Sequence, residues 1–112
     1  MNYKIVTFPP FEREAKRLAK HYKSLKQDLI HLAGELQANP TLGTDLGDGF
    51  RKIRLAIKSK ASGKRGGARV ITLTLLLSAN ETEIGLLYIY DKSDRESILS
   101  QELRALKRKC GL

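Results

Sequence analysis

Residues 51–90, RKIRLAIKSKASGKRGGARVITLTLLLSANETEIGLLYIY, decide how this chain folds. Ile53, Leu55 and Ile57 alternate with Lys52, Arg54, Ala56 and Lys58, the period of a strand with one face buried and one exposed. Lys52 and Arg54 therefore project from the same side. Ser59 to Gly67, rich in Gly, Ser and Lys, reads as a loop. Ala68 to Leu77 and Ile84 to Tyr90 are two further apolar runs joined by Ser78-Ala79-Asn80-Glu81, which makes a hairpin with a turn slightly longer than the tightest type.

Outward from this stretch, Asn2 to Phe8 is a short mixed run that fits a first strand, closed by Pro9 and Pro10. Those prolines cannot donate into a ladder but suit the start of a helix. Phe11, Ala15, Leu18, Tyr22 and Leu25 then recur at the spacing of one buried helical stripe. Leu25, Leu29, Leu32 and Leu36 form a second stripe, with Ser24 and Gln27 as a capping box and Asn39-Pro40 as its end. Thr41 to Gly49 carries Gly43, Gly47 and Gly49 with Asp45 and Asp48, and reads as a connecting loop. Ser93 and Glu96 suggest another capping box, opening a helix through Ile98, Leu99, Leu103 and Leu106 to Lys107-Arg108-Lys109. The order is thus βααβββα: one α+β domain over residues 1–112, with a small four-stranded antiparallel sheet, helices packed on one face, and cations on the other.

With 21 Lys and Arg against 12 Asp and Glu, the 112-residue chain has a formal charge of +9, which favours polyanionic partners. The distribution says more than the total. From Gly49 through Asn80 there is no acid, while Arg51, Lys52, Arg54, Lys58, Lys60, Lys64, Arg65 and Arg69 all fall there. No apolar run is long enough to span a bilayer and the N-terminus does not read as a secretory signal, so a cytoplasmic location and no membrane partner are expected. Cys110 is the one cysteine, and His21 and His31 lie on separate stripes without ligands at metal spacing, so neither a disulfide nor a metal site is expected. Ser62-Gly63-Lys64-Arg65-Gly66-Gly67 lacks the spacing and the hydroxyl residue of a nucleotide-triphosphate loop, and leads into a strand rather than a helix.

Cleaving RNA requires charge neutralisation at the phosphate, stabilisation of a pentavalent transition state, and transfer of the proton from the attacking 2'-OH. Fixed cations supply the first two, and a lysine weakened as an acid-holder by cationic neighbours and burial can supply the third. Lys52, Arg54 and Arg69 meet this requirement if their strands are neighbours. Arg brings a planar fork for phosphate oxygens, whereas Lys is the residue able to release its proton. Arg51, Lys58, Lys60, Lys64 and Arg65 are read as RNA-binding cations around that centre.

The segments FEREAKRLAKHYKSL (11–25), NPTLGTDLGDGFRKIRLAIKSKASGKRGGARVI (39–71) and YIYDKSDRESI (88–98) resemble the RelE/ParE superfamily of bacterial toxins, most closely its RelE-like branch with HigB-type toxins. The resemblance implies a RelE-like fold and a ribosome-dependent, metal-independent endoribonuclease that cuts translated mRNA without a cofactor. Its partners would be the ribosome with its mRNA and a cognate antitoxin that holds it inactive. By the same resemblance Lys52 acts in proton transfer, Arg54 and Arg69 stabilise the phosphate, and Lys92 serves as the basic residue after the last strand. Ser93 stands where some members have arginine, and Leu99 where a base-stacking tyrosine can stand; Tyr90, with Tyr88, is the aromatic offered instead. Two other readings share the charge pattern: a ParE-like inhibitor of DNA gyrase, and a non-catalytic RNA or ribosome binder.

Overall fold

The computed structural model describes residues 2–61 and 63–112; Met1, and Ser62 in the expected basic loop, lie outside them. The described residues form β1 (Asn2–Thr7), α1 (Pro9–Ala19), α2 (Leu25–Ala38), β2 (Thr44–Gly47), β3 (Phe50–Leu55), the one-turn helix α3 (Gly63–Gly66), β4 (Ala68–Leu76), β5 (Glu81–Asp91) and α4 (Ser100–Lys109). Their sheet has the order β1-β5-β4-β3-β2. The α+β class and the β3-β4-β5 meander stand as expected. None of the helices is long and apolar enough to cross a membrane.

Two features of the sheet differ from the sequence reading. It has five strands rather than four, because Thr44–Gly47 pairs with β3 inside the segment read as a loop. Asp48 and Gly49, at φ 54° and 86°, make the tight hairpin turn, a geometry for which Asp-Gly is strongly preferred because both central residues need positive φ. It is mixed rather than antiparallel, since β1 runs parallel to β5 with Ile5 opposite Ile84. The α1 and α2 segments between them carry the chain far enough to permit that arrangement.

The helices also divide between the two faces. On one, Phe11, Leu18, Leu25, Leu32 and Leu36 pack against Ile53, Leu55, Val70, Ile84, Leu86 and Ile89. On the other, Leu103 and Leu106 of α4 pack against Phe50, Ile71, Leu73 and Leu87. A bulge in β5 adds one apolar residue to that second face. Ile71 pairs with Tyr88 and Thr72 with Leu86, so Leu87 is the extra residue and joins Tyr88 and Tyr90 on the α4 side.

The start of α4 is later than expected. Ser93 and Glu96 do not cap it; Lys92 pairs with Glu96 at 2.7 Å in a turn, and the helix begins at Ser100. There Glu102 performs the capping reach, accepting the Leu99 backbone N–H at 3.0 Å while binding Arg95 through both oxygens at 2.7 and 2.9 Å. At the head of α2, Ser24 makes no side-chain cap and instead donates to Asp28 at 2.7 Å.

Candidate functional site

The ladder brings three of the expected residues into register. Arg54 lies opposite Arg69 on β4, and Arg69 lies opposite Tyr90 on β5. Lys52 heads the next row, opposite Ile71 and then Tyr88. All five polar or aromatic side chains of these rows share the face that α4 only partly covers. Like charges placed directly opposite one another in a sheet are destabilising. Yet no carboxylate stands within ion-pair distance of Lys52, Arg54 or Arg69 among the described residues.

Arg54 is exposed and Lys52 half-exposed, whereas Arg69 is only 4% exposed. Its guanidinium donates to the backbone carbonyls of Lys64 at 3.0 Å, Arg65 at 2.9 Å and Ala68 at 3.0 Å. A single helical turn leaves its carbonyls without partners in the helix, and Arg69 takes two of those of α3. Neutral acceptors thereby hold a cation without cancelling its charge. Burial, and after it the Arg54 charge, lower the Arg69 pKa from its ordinary value, which records the cost of that arrangement.

Tyr90 lies on the other flank of Arg69. It is buried, its hydroxyl makes no hydrogen bond among the described residues, and burial raises its pKa. Arg95 lies over its ring at 5.4 Å, and the Tyr88 ring is 6.3 Å away, tilted by 38°. Beside Arg54 a cleft of about 340 Å³ opens between α2 and the end of β3, lined by His31, Glu35, Lys58 and Lys64 among others. The cleft exists because β2 pairs with β3 only as far as Lys52, leaving the outer edge of the strand without a neighbour beyond it.

The remaining expected cations fall in different places. Lys64 and Arg65 are exposed on α3, and Lys58 is exposed at the entry to the loop. Lys92 follows β5 directly, with its N–H bonded to the Gly67 carbonyl at 3.0 Å and its ammonium on Glu96. Two are directed elsewhere. Arg51 donates to the carbonyls of Leu42 at 3.2 Å and Gly43 at 3.0 Å, fixing the segment before β2. Lys60 lies on the side of the sheet that carries α1 and α2, 2.6 Å from Asp91.

Asp91 is a residue the sequence reading did not single out. It is 4% exposed and accepts hydrogen bonds from Tyr22 Oη at 2.5 Å, Lys60 Nζ at 2.6 Å and the Ser93 N–H at 2.9 Å. Burial alone would raise its pKa, but the hydrogen bonds from Lys60, Tyr22 and Ser93, with the Lys60 charge, outweigh burial and bring it to about 2 from 3.8. The folded pKa is depressed, so this stabilisation is complete above the unfolded value and is lost as pH falls between about 4 and 2. It should amount to about 2 kcal/mol. Urea unfolding of wild type and Asp91→Asn from neutral pH down through that interval is expected to show a gap at neutral pH that closes as Asp91 protonates.

Gly67 closes the basic loop under a steric constraint. A Cβ there would collide with the Leu55 carbonyl oxygen across the ladder. Gly67→Ala is expected to destabilise the fold by about 1–3 kcal/mol through forced displacement of the β3–β4 pairing, read as a shift in the denaturation midpoint.

A family model described as RelE toxin of RelE / RelB toxin-antitoxin system matches residues 10–111. No curated protein matches the chain.

Proposed function

This chain belongs to the RelE toxin family, the toxin side of a toxin–antitoxin system, and from that membership we propose that it is a ribosome-dependent endoribonuclease cutting translated mRNA at the Lys52–Arg54–Arg69 centre. The observation that carries the reading is the Arg54–Arg69 pair, two cations held opposite each other with no carboxylate within ion-pair distance of either among the described residues. A fold tolerates such local repulsion where an anion is to be bound, and a phosphodiester suits the exposed Arg54 fork backed by the charge of Arg69.

In the proposed reaction the 2'-oxygen attacks the adjacent phosphorus and the bond from phosphorus to the 5'-oxygen breaks. Lys52 serves in removing the 2'-proton, and the departing 5'-oxygen gains a proton. The products are a 2',3'-cyclic phosphate and a 5'-hydroxyl. Arg54, being exposed, contacts the phosphate oxygens. Arg69 adds an unneutralised positive charge beside Arg54 on the neighbouring strand, where the low dielectric of its surroundings strengthens its field. Lys58, Lys64, Arg65 and Lys92 lie around this centre and guide the backbone of the RNA, with a cognate antitoxin as the inhibitory partner.

Controlled expression followed by primer extension on translated messages tests the reading. Cuts within reading frames, absent in Lys52→Ala and Arg54→Ala, are expected. Intact messages together with DNA damage would instead identify a gyrase inhibitor, and intact messages without damage a non-catalytic binder.

A further inference from the structure

The residues that hold the basic loop lie on the opposite side of the sheet from the cationic row. Asp91 pairs with Ala68 in the ladder, one step beyond the Arg69–Tyr90 pair, and faces Tyr22 in the connection between α1 and α2. Lys60 reaches this carboxylate, also donates to Ser93 Oγ at 2.6 Å, and lies 5.8 Å over the Tyr22 ring. A second attachment precedes it. Asp28 accepts the Lys58 N–H at 3.2 Å, and Ser24 Oγ accepts the Ser59 N–H at 2.8 Å. The far end is tied by the bond from the Lys92 N–H to the Gly67 carbonyl.

Between those attachments lie the Lys64 and Arg65 carbonyls that hold Arg69. We propose that Tyr22, Lys60 and Asp91 form a positioning clamp: from the face that carries α1 and α2 they fix the loop whose carbonyls orient the Arg69 guanidinium. This division meets two conflicting requirements. An acid beside Arg69 would orient it equally well but would neutralise the charge that an incoming phosphate needs. Carboxylates on the other face hold the loop, and neutral carbonyls hold the arginine. Lys60 thus serves the site as an anchor of its frame, with its side chain 15% exposed and its ammonium on Asp91.

The inference rests on the reading of the row as a phosphate site for its consequence in catalysis, and one of its two measurements is independent of that reading. In the full chain with labelled arginine, resolved Arg69 Nη–H resonances report a guanidinium whose rotation is stopped by its carbonyl partners. They are expected in wild type and in Lys60→Arg, which keeps the charge on Asp91, and to broaden or vanish in Asp91→Asn and Tyr22→Phe. RNA cleavage should fall roughly ten- to a hundredfold in kcat in those two variants with little change in KM, as for a misplaced group. Tyr22→Phe keeps the ring and decides the matter should Asp91→Asn not fold. Unchanged Arg69 resonances in a folded variant would overturn the clamp. A wild-type protein that shows the resonances and their loss but cleaves no RNA would support the clamp and overturn the nuclease.

Discussion

Arg54→Ala is expected to slow RNA cleavage by roughly 10²- to 10³-fold, the loss typical of removing one preorganised donor from a site of developing negative charge. Its effect on stability should have the opposite sign. Arg54 is exposed, has no carboxylate partner among the described residues and lies opposite another arginine, so its removal relieves repulsion within the sheet. Thermal unfolding of Arg54→Ala is therefore expected at or slightly above the wild-type temperature. A large catalytic loss without a stability loss separates a site residue from a structural one, and kcat with Tm on the same preparation provides both numbers.

Lys52→Ala should cost about 10²- to 10⁴-fold, the range for losing a group that moves a proton in the transition state. Lys52→Arg makes the sharper comparison. It retains the positive charge, so RNA binding and KM are expected to stay near wild type. A guanidinium does not give up its proton in a protein, so kcat should remain close to that of the alanine variant. If arginine restored kcat, Lys52 would act through charge alone. Single-turnover cleavage at saturating ribosome complex distinguishes the two.

The parts of this design with a regular period were legible from sequence. Alternation in RKIRL placed Lys52 and Arg54 on one face, and the hairpin following it brought Arg69 alongside, as the ladder shows. Other parts depended on tertiary partners. The Asp48-Gly49 turn was readable as a hairpin signal, but the glycines around it led to a loop assignment for Thr44–Gly47. Pairing of β1 with β5 and the bulge that turns Leu87 toward α4 have no local signature. The burial of Arg69 was also hidden. A basic residue at the start of a strand reads as solvated until the carbonyls of Lys64 and Arg65 are seen over it. Asp91 had one available signal: it follows Ile89 on the inward side of an apolar strand, a position where an acid needs partners to be tolerated.

Mapping the new 5' ends of cellular messages after a pulse of expression tests the central claim most directly. The proposed 2'-OH attack predicts ends that carry a 5'-hydroxyl, lie within translated reading frames and disappear in Arg54→Ala. Ends bearing a 5'-phosphate, or the same cuts persisting in Arg54→Ala, would contradict it.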